Sequence, residues 1–213
     1  MEEKVELFIK QLTPDVYMMD EGHMACGYIV VGTEKVCVID TMNGYNDVKK
    51  VVREITDKPI VVVNTHGHGD HIFGNVYFEE AYLNPDDFDL AEKSINMPEF
   101  ANACKEFGMK MPPFKPIKEG DVINLGGKTL EVYNLPGHTA GGIVLLLKEE
   151  RILFTGDSVN HHLWMMLKHS LSLAEYAKSV DRILFLKDKA DRLLHGHTAG
   201  FDDISLLTCL RDG

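Results

Sequence analysis

Four potential metal ligands crowd into six positions of the stretch Thr65-His66-Gly67-His68-Gly69-Asp70-His71, directly after the apolar run 60–63. Side chains two apart on an extended loop point the same way, so His66 and His68 can share one ion. Asp70 and His71, at the start of a following helix, can face another. Imidazole and carboxylate donors without thiolate suit Zn²⁺, Mn²⁺ or Fe²⁺ rather than a cysteine-rich structural zinc knot. A solvated loop would account for one such histidine, not for this density.

Three later segments carry the same residue types at strand ends. Leu135-Pro136-Gly137-His138-Thr139-Ala140-Gly141-Gly142 places His138 in a glycine-rich turn, where it can add a third nitrogen to the first ion. Thr155-Gly156-Asp157 puts a carboxylate where its two oxygens can serve both ions. Leu193-Leu194-His195-Gly196-His197 supplies two histidines two residues apart, which compete for the role of last ligand. His161 and His162 are candidates for bonding a substrate or leaving group, with exposed surface histidines the equal alternative. His23, alone in a polar loop, is a weaker candidate. Trp164, Met165, Met166 and Leu167 read either as the wall of an apolar substrate pocket or as core or dimer packing.

The elements that must position these groups follow from periodicity. Short β-branched runs at 27–31 and 35–40 read as a hairpin, 46–56 as a helix with Val48, Val51, Val52 and Ile55 on one face, and 60–64 as a strand. Strands follow at 121–124, 129–134, 142–147 and 151–155. A helix over 172–186 opens on the capping-box pair Ser172 and Glu175, and a strand over 192–195 ends at the last histidines. Residues 94–116, with four prolines and no clean period, read as a mobile insert. No composition shift divides the chain, so 1–213 is expected to be one domain.

With 45% hydrophobic and 26% charged residues, the 213-residue chain has the composition of a globular protein. A net charge of −11, with the 22 basic residues scattered, argues against nucleic acid as a partner. No apolar run approaches the roughly 20 residues of a membrane span. The acidic opening MEEKVELFIK lacks the pattern of an export signal, which points to a cytoplasmic protein. Cys26, Cys37, Cys104 and Cys209 form no C-x-x-C pair and read as reduced core thiols.

Taken in order, His66-x-His68-x-Asp70-His71, Pro136-Gly137-His138-Thr139, Thr155-Gly156-Asp157 and Gly196-His197 resemble the motif series of the metallo-β-lactamase superfamily. The likeness runs from the opening hairpin with Val38-Ile39-Asp40-Thr41 to the final histidine. It implies an α/β fold: a four-layer αβ/βα sandwich of two mixed β-sheets with helices on the outer faces. It also implies two divalent metal ions, zinc first with manganese or iron as alternatives. His66, His68 and His138 would hold one, Asp70, His71 and His197 the other, and Asp157 would stand between them. A bridging hydroxide would be the nucleophile, Asp70 would orient it or take its proton, and Asp40 would fix a ligand's ring tautomer.

The expected reaction is hydrolysis of an ester, thioester or lactone of a small cytoplasmic metabolite. Phosphodiester cleavage and mononuclear-iron persulfide dioxygenation are the alternatives. The stretch Ser158-Val159-Asn160-His161-His162 departs from the glyoxalase II pattern, and the missing signal sequence argues against a secreted β-lactamase. A carboxylate in place of His68, as in the superfamily's diiron flavoproteins, is also absent. The partner expected is a small-molecule substrate, with neither nucleic acid nor membrane, and a homodimer remains open.

Overall fold

Strands that are apolar at every position need cover on both faces. Val36–Ile39 and Ile143–Leu147 are such strands, buried along their whole length. In the computed structural model, which describes residues 5–212, the cover is supplied by four layers. The first sheet runs in the order β1 (Leu7–Gln11), β2 (Val16–Glu21), β3 (Ala25–Val31), β4 (Val36–Ile39), β5 (Ile60–Val63), β6 (Ala81–Leu83), β7 (Phe114–Pro116). Its first four strands are antiparallel and the rest join in parallel. The second contains β8 (Val122–Asn124), β9 (Thr129–Asn134), β10 (Ile143–Leu147), β11 (Ile152–Gly156), β12 (Arg192–His195) and β13 (Asp202–Asp203), adjacent in that order. Within it only β11 and β12 are parallel.

The helices are α1 (Val48–Ile55), α2 (Gly69–Ile72), α3 (Phe88–Ile95), α4 (Pro98–Phe107), α5 (Leu173–Ile183) and α6 (Ser205–Asp212). Alternation along each strand sorts the core. Tyr28, Ile39 and Val63 meet Leu130, Leu145, Phe154 and Leu194 between the sheets. Ile29, Val36 and Val38 face Val48 and Val52 of α1, while Val144, Leu146 and Leu153 face Tyr176, Val180 and Ile183 of α5 and Leu207 of α6. Each such side chain contributes about 1.5 to 3 kcal/mol on burial, which fixes the sheet ends that carry the site. α5 begins with a complete capping box, Ser172 Oγ accepting from the Glu175 N–H and Glu175 Oε2 from the Ser172 N–H at 3.0 Å.

Residues 94–116, read from the sequence as a mobile insert without a clean period, hold α4, with Pro98 in its first turn and Gly108 in the left-handed conformation at its end, and β7. No residue of α4 is buried, which explains why it left no apolar period. The β1–β2 hairpin was also invisible to periodicity, because four of the five β1 residues are exposed. Cys26 and Cys37 are buried, whereas Cys104 is half-buried and Cys209 exposed, so the core reading of the thiols fits only the first two. Among the described residues no helix is long and apolar enough to cross a membrane. The first four residues of the acidic N-terminal stretch lie outside the described residues.

Candidate metal centre

The loops after β4, β5, β9, β11 and β12 converge on one end of the sandwich. Asp40, which follows β4, takes a left-handed backbone (φ 58°) that aspartate tolerates better than most residues. Its carboxylate accepts the Thr65 N–H and hydroxyl, both at 2.7 Å, and His71 Nδ1–H at 2.9 Å. The turn after β5 is thereby pinned to the end of β4. His66 Nε2 then stands 2.9 Å, and His138 Nε2 3.0 Å, from His68 Nδ1.

A second group lies against the first. His71 Nε2 is 3.5 Å from Asp157 Oδ1 and 3.7 Å from Asp70 Oδ2. His197 Nε2 is 3.1 Å from Asp157 Oδ2 and 3.7 Å from Asp70 Oδ2. Asp157 reaches both groups, since its Oδ2 is also 3.7 Å from His138 Nε2. Two glycines permit this closeness. A Cβ on Gly156, itself at φ 50°, would sit 2.2 Å from Thr65 Oγ1, and one on Gly196 2.4 Å from Asp157 Oδ1. The His71 carbonyl accepts from the Thr41 N–H at 2.9 Å and from Asn64 Nδ2 at 2.8 Å, which holds the start of α2 in place.

Hydrogen bonding on the outer side of each ring assigns its tautomer. Thr65 Oγ1 spends its proton on Asp40 and so accepts from His66 Nδ1 at 3.1 Å. His71 Nδ1 donates to Asp40, His138 Nδ1 to the Trp164 carbonyl at 2.7 Å, and His197 Nδ1 to the Met24 carbonyl at 2.8 Å. His66 and His138 are left with a bare lone pair facing inward toward His68 Nδ1, while Nε2 of His71 and of His197 faces the Asp157 carboxylate. Three acceptor nitrogens within about 3 Å of a neighbour repel one another unless a cation lies between them. Buried His71 Nε2 and Asp157 Oδ1 have no hydrogen-bond partner at all, a costly arrangement that a cation would resolve. The residues therefore fit a metal pair.

Charge separates the two groups. Burial, and then the adjacent imidazoles, press His66 well below its usual pKa and His68 down to about 3. Burial opposes a charge on His71, yet Asp40, Asp157 and Asp70 raise its pKa well above the usual value. Burial likewise opposes ionisation of Asp157, and His71 outweighs it, holding the carboxyl well below its normal range.

Of the remaining sequence candidates, His162 and Trp164 line a cavity of about 1140 Å³ at the centre, together with Met24, Phe73, Leu90 and Leu167. Met165 packs against the α5 core and Met166 is exposed. His195 also borders the cavity but is committed elsewhere: its Nδ1 accepts the His197 N–H, so its Nε2 carries the proton and donates to Asp202 at 3.1 Å. His197, not His195, thus turns its Nε2 to the centre, against Asp157 and Asp70. The structure does not bring His161 or His23 to the cavity. His161 pairs with Asp202 at 2.9 Å, and His23 pairs with Asp20 at 2.6 Å while stacking on Phe8.

Two residues that the sequence did not single out stand close by. The buried Asp87 accepts from the Gly67 N–H at 2.9 Å, Thr139 Oγ1 at 2.7 Å and the Gly141 N–H at 2.6 Å, tying the two histidine loops together. His169 Nε2 lies 2.5 Å from His68 Nε2. Both sit far along the chain from what they touch, and neither lies in a motif.

Comparison with known proteins places this geometry. The family described as "Metallo-beta-lactamase superfamily" matches residues 25–197. The chain is 28% identical over 205 residues to "Acyl-coenzyme A thioesterase MBLAC2" of Gallus gallus, covering 84% of this chain and 74% of that protein. It is 31% identical over 144 residues to "Atrochrysone carboxyl ACP thioesterase AgnL7" of Paecilomyces divaricatus, covering 63% of this chain and 39% of that one. Among solved structures, a metallo-beta-lactamase from Pontibacter korlensis superposes with a TM-score of 0.72 at 22% identity, over 97% of this chain and 98% of that one. The DIM-1 metallo-beta-lactamase does so with a TM-score of 0.75 at 19% identity, over 97% and 96%. At these identities the superpositions speak for the fold alone.

Proposed function

Because the chain belongs to the metallo-β-lactamase superfamily, we propose that it is a dinuclear metal-dependent hydrolase that cleaves the thioester of a small cytoplasmic metabolite. The observation that carries the reading is the set of inward lone pairs on His66, His68 and His138 beside the unpartnered His71 Nε2 and Asp157 Oδ1. The thioesterase names of two relatives favour the thioester over the ester and the lactone. A pair of divalent cations, zinc by the preference of such a donor set, would lower the pKa of water toward neutrality and polarise the acyl carbonyl.

The chain's own residues divide the remaining work. Asp70, partly exposed at the cavity floor, orients the attacking water and accepts its proton. Met24, Phe73, Leu90, Trp164 and Leu167 receive the apolar part of the acyl group and keep bulk water from the scissile bond. His162 and Asn160 offer polar contacts at the same wall. The departing sulfur needs no proton from the protein, since a thiol of pKa about 8.5 leaves readily as thiolate.

The test is metal content of the purified, unsupplemented protein by plasma mass spectrometry, with turnover of a thioester, ester, lactone and phosphodiester panel. Close to two zinc or manganese ions per chain and thioester turnover above the others is the expected result. One iron per chain with oxygen uptake and no hydrolysis would overturn it in favour of persulfide-type dioxygenation.

A further inference from the structure

Five imidazoles point toward the centre, and each must keep its proton on the nitrogen facing away. For four of them the outer acceptor is a backbone carbonyl or a motif residue beside the ring: Thr65, Asp40, the Trp164 carbonyl and the Met24 carbonyl. His68 is built differently. It faces the centre with Nδ1, so its Nε2 carries the proton, and the atom opposite that nitrogen is Nε2 of His169 at 2.5 Å. His169 Nε2 must then be the bare, accepting nitrogen, with its own proton on Nδ1. The rings meet at 65° with centroids 4.7 Å apart, an edge-on approach that aims one nitrogen at the other.

His169 belongs to a segment that grips the same centre at other points. Between β11 and α5 the chain crosses the His138 loop: the Trp164 carbonyl accepts from His138 Nδ1, Ser170 Oγ donates to the His138 carbonyl at 2.9 Å, and the Leu171 N–H donates to the Gly137 carbonyl at 2.8 Å. The backbone that carries His169 is therefore docked independently of the His68 contact.

We propose that His169 is the positioning residue for His68. It selects the tautomer and ring orientation that present Nδ1 to the three-imidazole group, and so sets the affinity of that group for its cation. The inference rests on reading His66, His68 and His138 as a cation site. Outer partners of metal-binding histidines are typically worth a 10- to 100-fold change in affinity, roughly.

His169 is exposed, so truncating it removes no core contact. The experiment compares wild type, His169→Ala and His169→Gln by Zn²⁺ competition against a chromophoric chelator and by the visible spectrum of Co²⁺-loaded protein. Thermal unfolding of each metal-free form is followed alongside. His169→Ala is expected to weaken one of two cation sites by about 10- to 100-fold, leave the other unchanged, shift the Co²⁺ bands and leave the metal-free melting temperature alone. His169→Gln, whose amide oxygen can accept from His68 Nε2, is expected to restore most of the affinity. Wild-type Zn²⁺ affinity at both sites in His169→Ala overturns the proposal, as does a His169→Gln protein no better than the alanine variant. A wild-type protein that binds no cation overturns instead the cation-site reading on which it rests.

Discussion

His66, His68 and His138 form a group without formal charge, in which His66 and His138 are buried and His68 lines the cavity, with the pKa values of His66 and His68 pushed down. Asp70, His71, Asp157 and His197, a few ångströms away, bring two carboxylates, a His71 whose proton affinity is raised, and a His197 whose side chain is 39% exposed. The first group is organised by loop-to-loop contacts through Asp87 and the segment carrying His169. The second leans on Asp40 and on Asp157. Two groups built so differently should, with each holding a cation as proposed, respond differently to protons and to mutation, and Asp157, which reaches both, should couple them most directly.

The sharpest test of that contrast is Asp157→Ala. It should cut kcat/KM by at least about 10³-fold, about 4 kcal/mol of transition-state stabilisation, and lower metal occupancy at both sites by plasma mass spectrometry. A variant that loses only one ion would break the coupling role.

Asp40→Asn keeps the shape and removes the charge. Because Asp40 bonds His71 directly and His66 only through Thr65, the second site should lose about 10- to 100-fold in Zn²⁺ affinity and the first less. Equal losses at both would erase the distinction. Asp87→Asn acts on the other side: one of its three donors loses its acceptor, so unfolding in urea should show a loss of about 1 to 3 kcal/mol, with the first site the more weakened in chelator competition.

Proton sensitivity gives opposite signs. His68, depressed to about 3 when folded, contributes stability that is present above its ordinary pKa near 6.5 and lost as pH falls toward 3. His197, raised mainly by Asp157, contributes stability that is present below 6.5 and lost as pH rises through its folded pKa. Metal-free His68→Asn should therefore lose less stability on acidification than wild type, and metal-free His197→Asn more. The His68 difference should be on the order of 1 kcal/mol per pH unit at most, and the His197 difference smaller because its 39% exposed side chain is screened by solvent, both read from urea midpoints between pH 7 and 4. His23→Ala, outside both groups, should change stability by less than about 0.5 kcal/mol and leave both metal affinities alone. A change in either would place His23 back at the site.

How much of this was legible in the sequence depended on distance along the chain. His66, His68, Asp70 and His71 declared themselves because one loop carries all four. Thr129–Asn134 and Arg192–His195 emerged with the expected bounds because strand alternation is a local signal. β1 and α4 were missed because exposed elements leave little apolar pattern. The choice between His195 and His197 required knowing that Asp202 lies within reach of one and the Met24 carbonyl within reach of the other.

By itself, then, the sequence determined the donor set, the order of its motifs and the strand ends that present them, since residue type and short-range spacing encode those directly. Which nitrogen of each imidazole faces the centre, and that Asp87 and His169 hold the loops and rings in place, was decided only by tertiary structure. Those hydrogen bonds join residues 20, 52, 54, 101 and 173 positions apart. No local periodicity records such contacts, because it is the packing of the two sheets that brings the partners together.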